Sequence, residues 1–217
     1  MKRKTVAILM AAMLICGGTA GATMAWLADS TATIRNTFTV GDVKIALTEV
    51  HPTDKTTSKD SEEHFAQMVP GTAIEKDPKI TVMQGSEPCY VFVKITPSSY
   101  YEKFFGAVNV ADGWTLLERN KDGSVVYYRT CGVIDEVAQG KLTADEDFYI
   151  LAGNKTYVNG FVKVNDNVKK ADMKSLNEDD YPQLSFQAYA VQYENVEDVE
   201  KAWAQVPSTE STTQPSN

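Results

Sequence analysis

Alternating apolar and polar positions along the chain predict short β-strands. The first clear alternation puts apolar residues at Val43, Ile45 and Leu47, with the period of a half-buried strand. The apolar residues before Gly41 have the opposite parity. We therefore expect a bulge or kink at this glycine, between two pieces of strand.

One strand has apolar residues on both of its faces. One face carries Cys89, Val91, Val93 and Ile95. The other carries Tyr90 and Phe92, so both faces should be covered where the strand begins. We predict that this strand is central in its sheet.

Further strands are predicted towards the C-terminus. Residues 114–119 and 124–130 flank an Asp122-Gly123 turn signal and should pair as a hairpin. Segments 148–151 and 160–164 are shorter candidates. The last long strand places Leu184, Phe186, Ala188 and Ala190 on one face.

Many short strands joined by Gly, Pro, Asn and Asp turns are typical of an all-β sandwich. We predict a single antiparallel sandwich domain over residues 26–206. Its core should contain Ile45, Val91, Val93, Leu184 and Phe186.

Helices should be few and short. Residues 98–105 and 171–177 are two candidates. Near the C-terminus Asn195 can cap a third helix, whose apolar residues recur at helical spacing and whose Trp203 should pack against the sandwich. Residues 207–217 contain no apolar side chain, and we expect them to be disordered.

The N-terminus reads as an export signal. Lys2, Arg3 and Lys4 precede an apolar run over residues 5–16, which small residues follow. This run is shorter than the roughly 20 apolar residues of a membrane span. We predict that residues 1–25 are cleaved, with an uncleaved N-terminal anchor as the alternative.

The charge of the chain argues against nucleic acid as a partner. The formal net charge is −8, and loss of the three N-terminal cations would take it to −11. An acidic chain without a basic patch does not suit phosphate backbones or anionic membranes. The predicted product is an acidic secreted protein, with no stable membrane anchor.

Catalytic motifs are not visible in the sequence. The two histidines, His51 and His64, do not form the paired-histidine motif of zinc proteases, and a loop position is the simpler interpretation. There is no nucleophile elbow or phosphate-binding loop. Acidic clusters at 145–147 and 178–180 lack the spacing of a calcium loop. We therefore predict no catalytic residue, no cofactor and no metal.

The cysteines leave two alternatives open. Cys16 would be lost with the signal, and the large Ile15 before it disfavours lipidation. Cys89 and Cys131 remain, both on predicted strands. In an oxidising compartment they can form a disulfide, and two buried free thiols are the alternative.

Several motifs together resemble the TasA and camelysin (CalY) family of Gram-positive biofilm-matrix proteins. The N-terminal block consists of Gly18-Thr19-Ala20, then Ala25-Trp26-Leu27-Ala28-Asp29, then Asn36-Thr37-Phe38-Thr39-Val40-Gly41, with Met24 and Leu27 as mild departures from the family pattern. Weaker blocks lie at 68–71, 76–82, 85–94 and 184–192.

This resemblance implies a function and a mechanism. A SipW-type signal peptidase would cut between Ala25 and Trp26. The secreted product would be a non-enzymatic, jelly-roll-like subunit of extracellular matrix fibres, assembling with itself or with related subunits. Residues 26–35 would form a mobile donor segment that pairs with an open sheet edge of a neighbour. The donor residues would be Trp26, Leu27, Ile34 and Phe38.

Three alternatives remain at this point. The chain can be an exported metalloprotease, because camelysin-type relatives have been classed as metalloproteases. It can be a monomeric cell-surface binding module. Residues 26–35 can also form the first strand of their own sandwich, without any exchange between chains.

Overall fold

The computed structural model of the protein describes residues 34–49, 69–169, 171–172, 182–194 and 196–206. The described part is dominated by β-strands, and the predicted all-β class is confirmed. The predicted disordered tail, 207–217, lies outside the described residues, as does most of the helix predicted at 171–177.

The largest sheet has five strands. In chain order they are β1 (Ile34–Val40), β5 (Cys89–Pro97), β6 (Thr115–Arg119), β7 (Val125–Cys131) and β12 (Leu184–Gln192). In space the order is β1-β12-β5-β7-β6. The strand predicted to be central is β5, which pairs with β12 on one side and with β7 on the other.

A second sheet packs against the inner face of the first. It has the order β10-β4-β2 and consists of β2 (Ile45–Thr48), β4 (Lys79–Val82) and β10 (Glu146–Tyr149). Two small ribbons complete the described strands: β3 (Ala73–Glu75) with β11 (Phe161–Lys163), and β8 (Val133–Ile134) with β9 (Val137–Ala138).

The main core lies between the two larger sheets. The five predicted core residues Ile45, Val91, Val93, Leu184 and Phe186 are all buried there, with exposures from 0 to 8%. They meet Ile80, Val82 and Phe148 of the second sheet. The predicted strand register is therefore confirmed.

A smaller core covers the outer face of the five-stranded sheet. Helix α2 (Val199–Trp203) lays Ala202 and Trp203 against Phe92 and Tyr189, and the Trp203 and Phe92 ring centres are 5.2 Å apart. The predictions that β5 is covered on both faces and that Trp203 packs against the sandwich are confirmed. The cap of this helix is Asp198, whose carboxylate accepts the Lys201 amide hydrogen at 2.7 Å. The helix therefore begins later than the predicted Asn195 cap.

The remaining predicted elements differ mainly in their ends. The helix expected at 98–105 is present as α1 (Tyr101–Phe104), and the two short strand candidates correspond to β10 and β11. The predicted hairpin is formed by β6 and β7, with a register shift between Leu116 and Glu118. One pairing departs from the antiparallel prediction, because β1 runs parallel to β12.

Candidate functional site

Strand β1 forms one edge of the five-stranded sheet. It pairs with β12 from Ile34 opposite Phe186 to Val40 opposite Val191, with a register shift between Ile34 and Thr37. Among the described strands none pairs with its other side. A sheet edge of this kind presents unpaired backbone groups that an extended segment can join.

Gly41 marks the point where the chain leaves this edge. Its φ of +90° is in the left-handed region, and a Cβ at this position would lie 2.5 Å from Gln192 Oε1. Only glycine fits such an approach without a shift of its neighbours. The kink predicted here is confirmed, and it passes the chain from the first sheet to the second.

An exposed ion cluster lies beside this kink. Lys141 Nζ is 2.7 Å from Asp42 Oδ2 and 3.2 Å from Glu87 Oε1. The hydrogen bond and charge of Lys141 lower the pKa of Asp42, and both carboxylates raise the pKa of Lys141. The cluster connects the β1 end of the molecule to the segment that follows β9.

Strand β6 is the opposite edge of the same sheet. Its residues are largely exposed, and Leu116 is 43% exposed. Glu118 on this strand accepts the indole hydrogen of Trp203 at 3.0 Å. The two edges therefore differ in their surroundings, because α2 is bound beside β6.

The two strand cysteines lie directly opposite each other. Cys89 begins β5, Cys131 ends β7, and the two residues are register partners. Both are buried free thiols in the structure, and the Cys131 thiol lies 3.4 Å from Glu146 Oε2, its acceptor. The hydrogen bond with Cys89, burial and the nearby Glu146 carboxylate raise the pKa of Cys131.

Arg129 packs between two aromatic rings. Its guanidinium carbon lies 3.9 Å from the Phe148 ring centre and 5.6 Å from the Trp114 ring centre. Burial lowers its pKa, and its Nε is buried without a hydrogen-bond acceptor in the described part of the chain. Sequence reasoning missed this cluster because strand parity places Arg129 on the inner face without revealing which rings lie opposite.

The structure accounts for part of the predicted donor segment. Ile34 and Phe38 lie on β1, within the chain's own sheet. Ala25, Trp26 and Leu27 lie outside the described residues, as do His51 and His64. Among the residues that are described, no group of three or more His, Cys, Asp and Glu side chains is placed to hold a metal ion.

No helix within the described ranges is both long enough and apolar enough to cross a bilayer. The chain matches no protein-family model, no curated protein and no solved structure.

Proposed function

We propose that this protein is a secreted structural subunit of extracellular biofilm matrix fibres. In this proposal a SipW-type peptidase removes residues 1–25, and the mature chain polymerises with itself or with related subunits. The observation that carries the proposal is the position of β1. It is the first described strand after the predicted cleavage point and lies at a sheet edge, parallel to β12.

The pairing of β1 makes exchange between chains physically reasonable. Its described ladder joins it to one strand only, and that partner lies about 150 residues away along the chain, as the Asp42 to Gln192 contact shows. Among the described strands, β1 can leave β12 without breaking backbone hydrogen bonds to any other strand. The vacated edge of β12 can then accept the equivalent strand of a neighbour.

Such an exchange would generate a filament. The donor strand and the acceptor edge are different surfaces, so the contact between two chains is heterologous and does not close on itself. An uncleaved signal would add 25 residues in front of the donor. Assembly would therefore begin only after cleavage at Ala25.

Two chains of different length test the role of the N-terminal segment. A chain that starts at Trp26 should form fibres in negative-stain electron microscopy. A chain that starts at Thr37 keeps most of the β1 ladder but lacks the donor residues Trp26, Leu27 and Ile34. It should remain folded, because Thr37 to Val40 still pair with β12, and monomeric, because the exchanged strand would have lost all of its donor residues except Phe38. Fibre formation by the shorter chain, or its complete unfolding, would contradict the donor-exchange mechanism.

A matched pair of substitutions separates donor chemistry from chain length. In the chain that starts at Trp26, Ile34→Asp places a charge at an apolar donor position, whereas Arg35→Asp alters the adjacent polar one. We expect Ile34→Asp to stop fibre formation and Arg35→Asp to permit it. Equal behaviour of the two variants would contradict the assignment of Ile34 as a donor residue.

The same purified samples test the metalloprotease alternative. A fibre subunit should not hydrolyse azocasein. Hydrolysis that copurifies with the chain and is abolished by a chelator would overturn the structural role.

A further inference from the structure

We propose that Cys89 and Cys131 become joined as a disulfide when the chain folds in an oxidising compartment. The bond would tie β5 to β7, the central and adjacent strands of the five-stranded sheet. This inference goes beyond the fibre proposal and does not depend on assembly. It draws only on the predicted export and on the geometry of the two strands.

Strand register brings the two residues within bonding range. They are direct partners in an antiparallel pair, at the first residue of β5 and the last residue of β7. Alpha carbons of such partners are about 4.5–5.5 Å apart. Disulfides span roughly 4.4–6.8 Å between alpha carbons, so the bond requires little movement of the backbone.

The surroundings favour closure at this end of the ladder. Pro88 precedes Cys89, and Gly132 follows Cys131 with a φ of +68°. A Cβ on Gly132 would lie 3.4 Å from Pro88 atoms, so the two strand ends already lie close together. Both cysteines belong to the main core, and the two residues are 0% and 2% exposed.

Burial determines when the bond can form. Strand β10 contributes Glu146, whose Oε2 lies within hydrogen-bond reach of the Cys131 thiol. A thiolate is the attacking species in disulfide exchange, and a buried thiol beside a carboxylate seldom ionises. Oxidation therefore belongs to the folding step, before the second sheet closes over the pair.

The reaction is a thiol–disulfide exchange with a small-molecule or protein disulfide. One cysteine thiolate attacks the external disulfide and releases one thiol, leaving a mixed disulfide. The second cysteine then attacks that mixed disulfide, releases the second thiol and completes the internal bond. The protein loses two electrons and two protons, and the external disulfide gains them.

Peptide mapping tests the bond directly. The full chain carrying Cys16→Ser, which leaves Cys89 and Cys131 as its cysteines, is refolded with oxidised glutathione and, in parallel, with a reducing phosphine. Free thiols are blocked in denaturant, and the chain is digested with trypsin. The oxidised sample should yield peptides 80–94 and 130–141 joined by a disulfide. Recovery of both peptides in blocked form from the oxidised sample would overturn the proposal.

Thermal stability provides a second test. The oxidised protein should melt about 10 °C above the reduced protein, because the bond restricts the unfolded chain. In oxidised samples Cys89→Ala and Cys131→Ala should each remove this gain, and the double variant should lose little more. Additive losses from the two substitutions, with no difference between oxidised and reduced protein, would show that the cysteines act as independent packed thiols.

Discussion

Phe186 fills part of the space between the two main sheets from the inner face of β12. It is fully buried, and its neighbour Gln187 lies on the opposite face with part of its surface exposed. Replacing a buried Phe by Ala typically costs about 3–5 kcal/mol. We therefore expect Phe186→Ala to lower the melting temperature by roughly 10 °C and Gln187→Ala to be nearly silent. Equal effects in thermal denaturation would contradict the register of β12.

Asp147 gives stability to the second sheet that depends on pH. Lys79 Nζ donates to its Oδ2 at 2.7 Å, and Thr81 Oγ1 donates to its Oδ1 at 2.5 Å. These hydrogen bonds lower the pKa of Asp147, the Lys79 bond most of all. The native state therefore binds fewer protons here than the unfolded state, and stability is lost as pH falls through the native pKa.

Asp147→Asn should reduce the loss of unfolding free energy as pH falls into the acid range. Urea denaturation from about pH 5 to pH 2 measures the effect, because the unfolded carboxyl titrates near 3.9. Asp112→Asn, at an exposed carboxylate outside this ion pair, is the matched control for the loss of a surface charge. Lys79 acts with the opposite sign, because the bond to Asp147 raises its pKa. Its contribution is present at neutral pH and is lost only as pH rises through that raised value.

Side-chain direction could be predicted residue by residue where alternation was long. In β5 and β12 the alternation assigned each side chain to a face, because a shift of one residue would have exchanged the inner and outer sets. The Arg129 cluster could not be predicted in this way. Its two rings come from Trp114 and Phe148, and only the packing of the sheets brings them together.

At the scale of elements, the β8–β9 hairpin is held in a costly conformation. Asp135 and Glu136 at its tip both have positive φ, 47° and 64°. This two-residue geometry favours Asn-Gly, because other residues resist the left-handed region. Asp135→Asn combined with Glu136→Gly should raise the free energy of unfolding by roughly 1 kcal/mol in urea titrations.

Gly140, close to this hairpin, allows the opposite substitution to be tested, from glycine to a residue with a side chain. Gly140 has a φ of +81° with open space around its missing Cβ. Gly140→Ala should therefore destabilise the protein through backbone strain alone. If Gly140→Ala stabilised the protein, or if the turn replacement had no effect, the left-handed conformations would not be reducing the stability of the folded state.

Several of the shortest strands were not predicted, although the three-residue β11 lies within a predicted segment. β8 and β9 have two residues each and β3 has three, too few to show a period of two. The predicted cap of α2, Asn195, lies three residues before the cap in the structure, Asp198. Asp198 and Asn195 are both capping residue types, and sequence alone does not decide between them.

At the scale of the whole molecule, strand order was the least predictable property. Alternation assigns a strand its faces but not its neighbours. The parallel pairing of β1 with β12 joins the two ends of the described chain, and no local signal specifies it. The antiparallel β6–β7 hairpin was predictable because its partners are adjacent and a turn signal separates them.

The small core beneath α2 limits how copies of this molecule can stack. The main sheet has an inner face covered by the second sheet, and its outer face carries Trp203, Val199 and Ala202 over Phe92 and Tyr189. A sheet with two bare faces can grow into layers, as laminated β-structures do. Where both faces of a sheet are covered by other parts of the same chain, another copy can pair its backbone only with the strands at the sheet edges. In the proposed fibre, growth by such pairing would be confined to one dimension, and the product would be a filament rather than a layer.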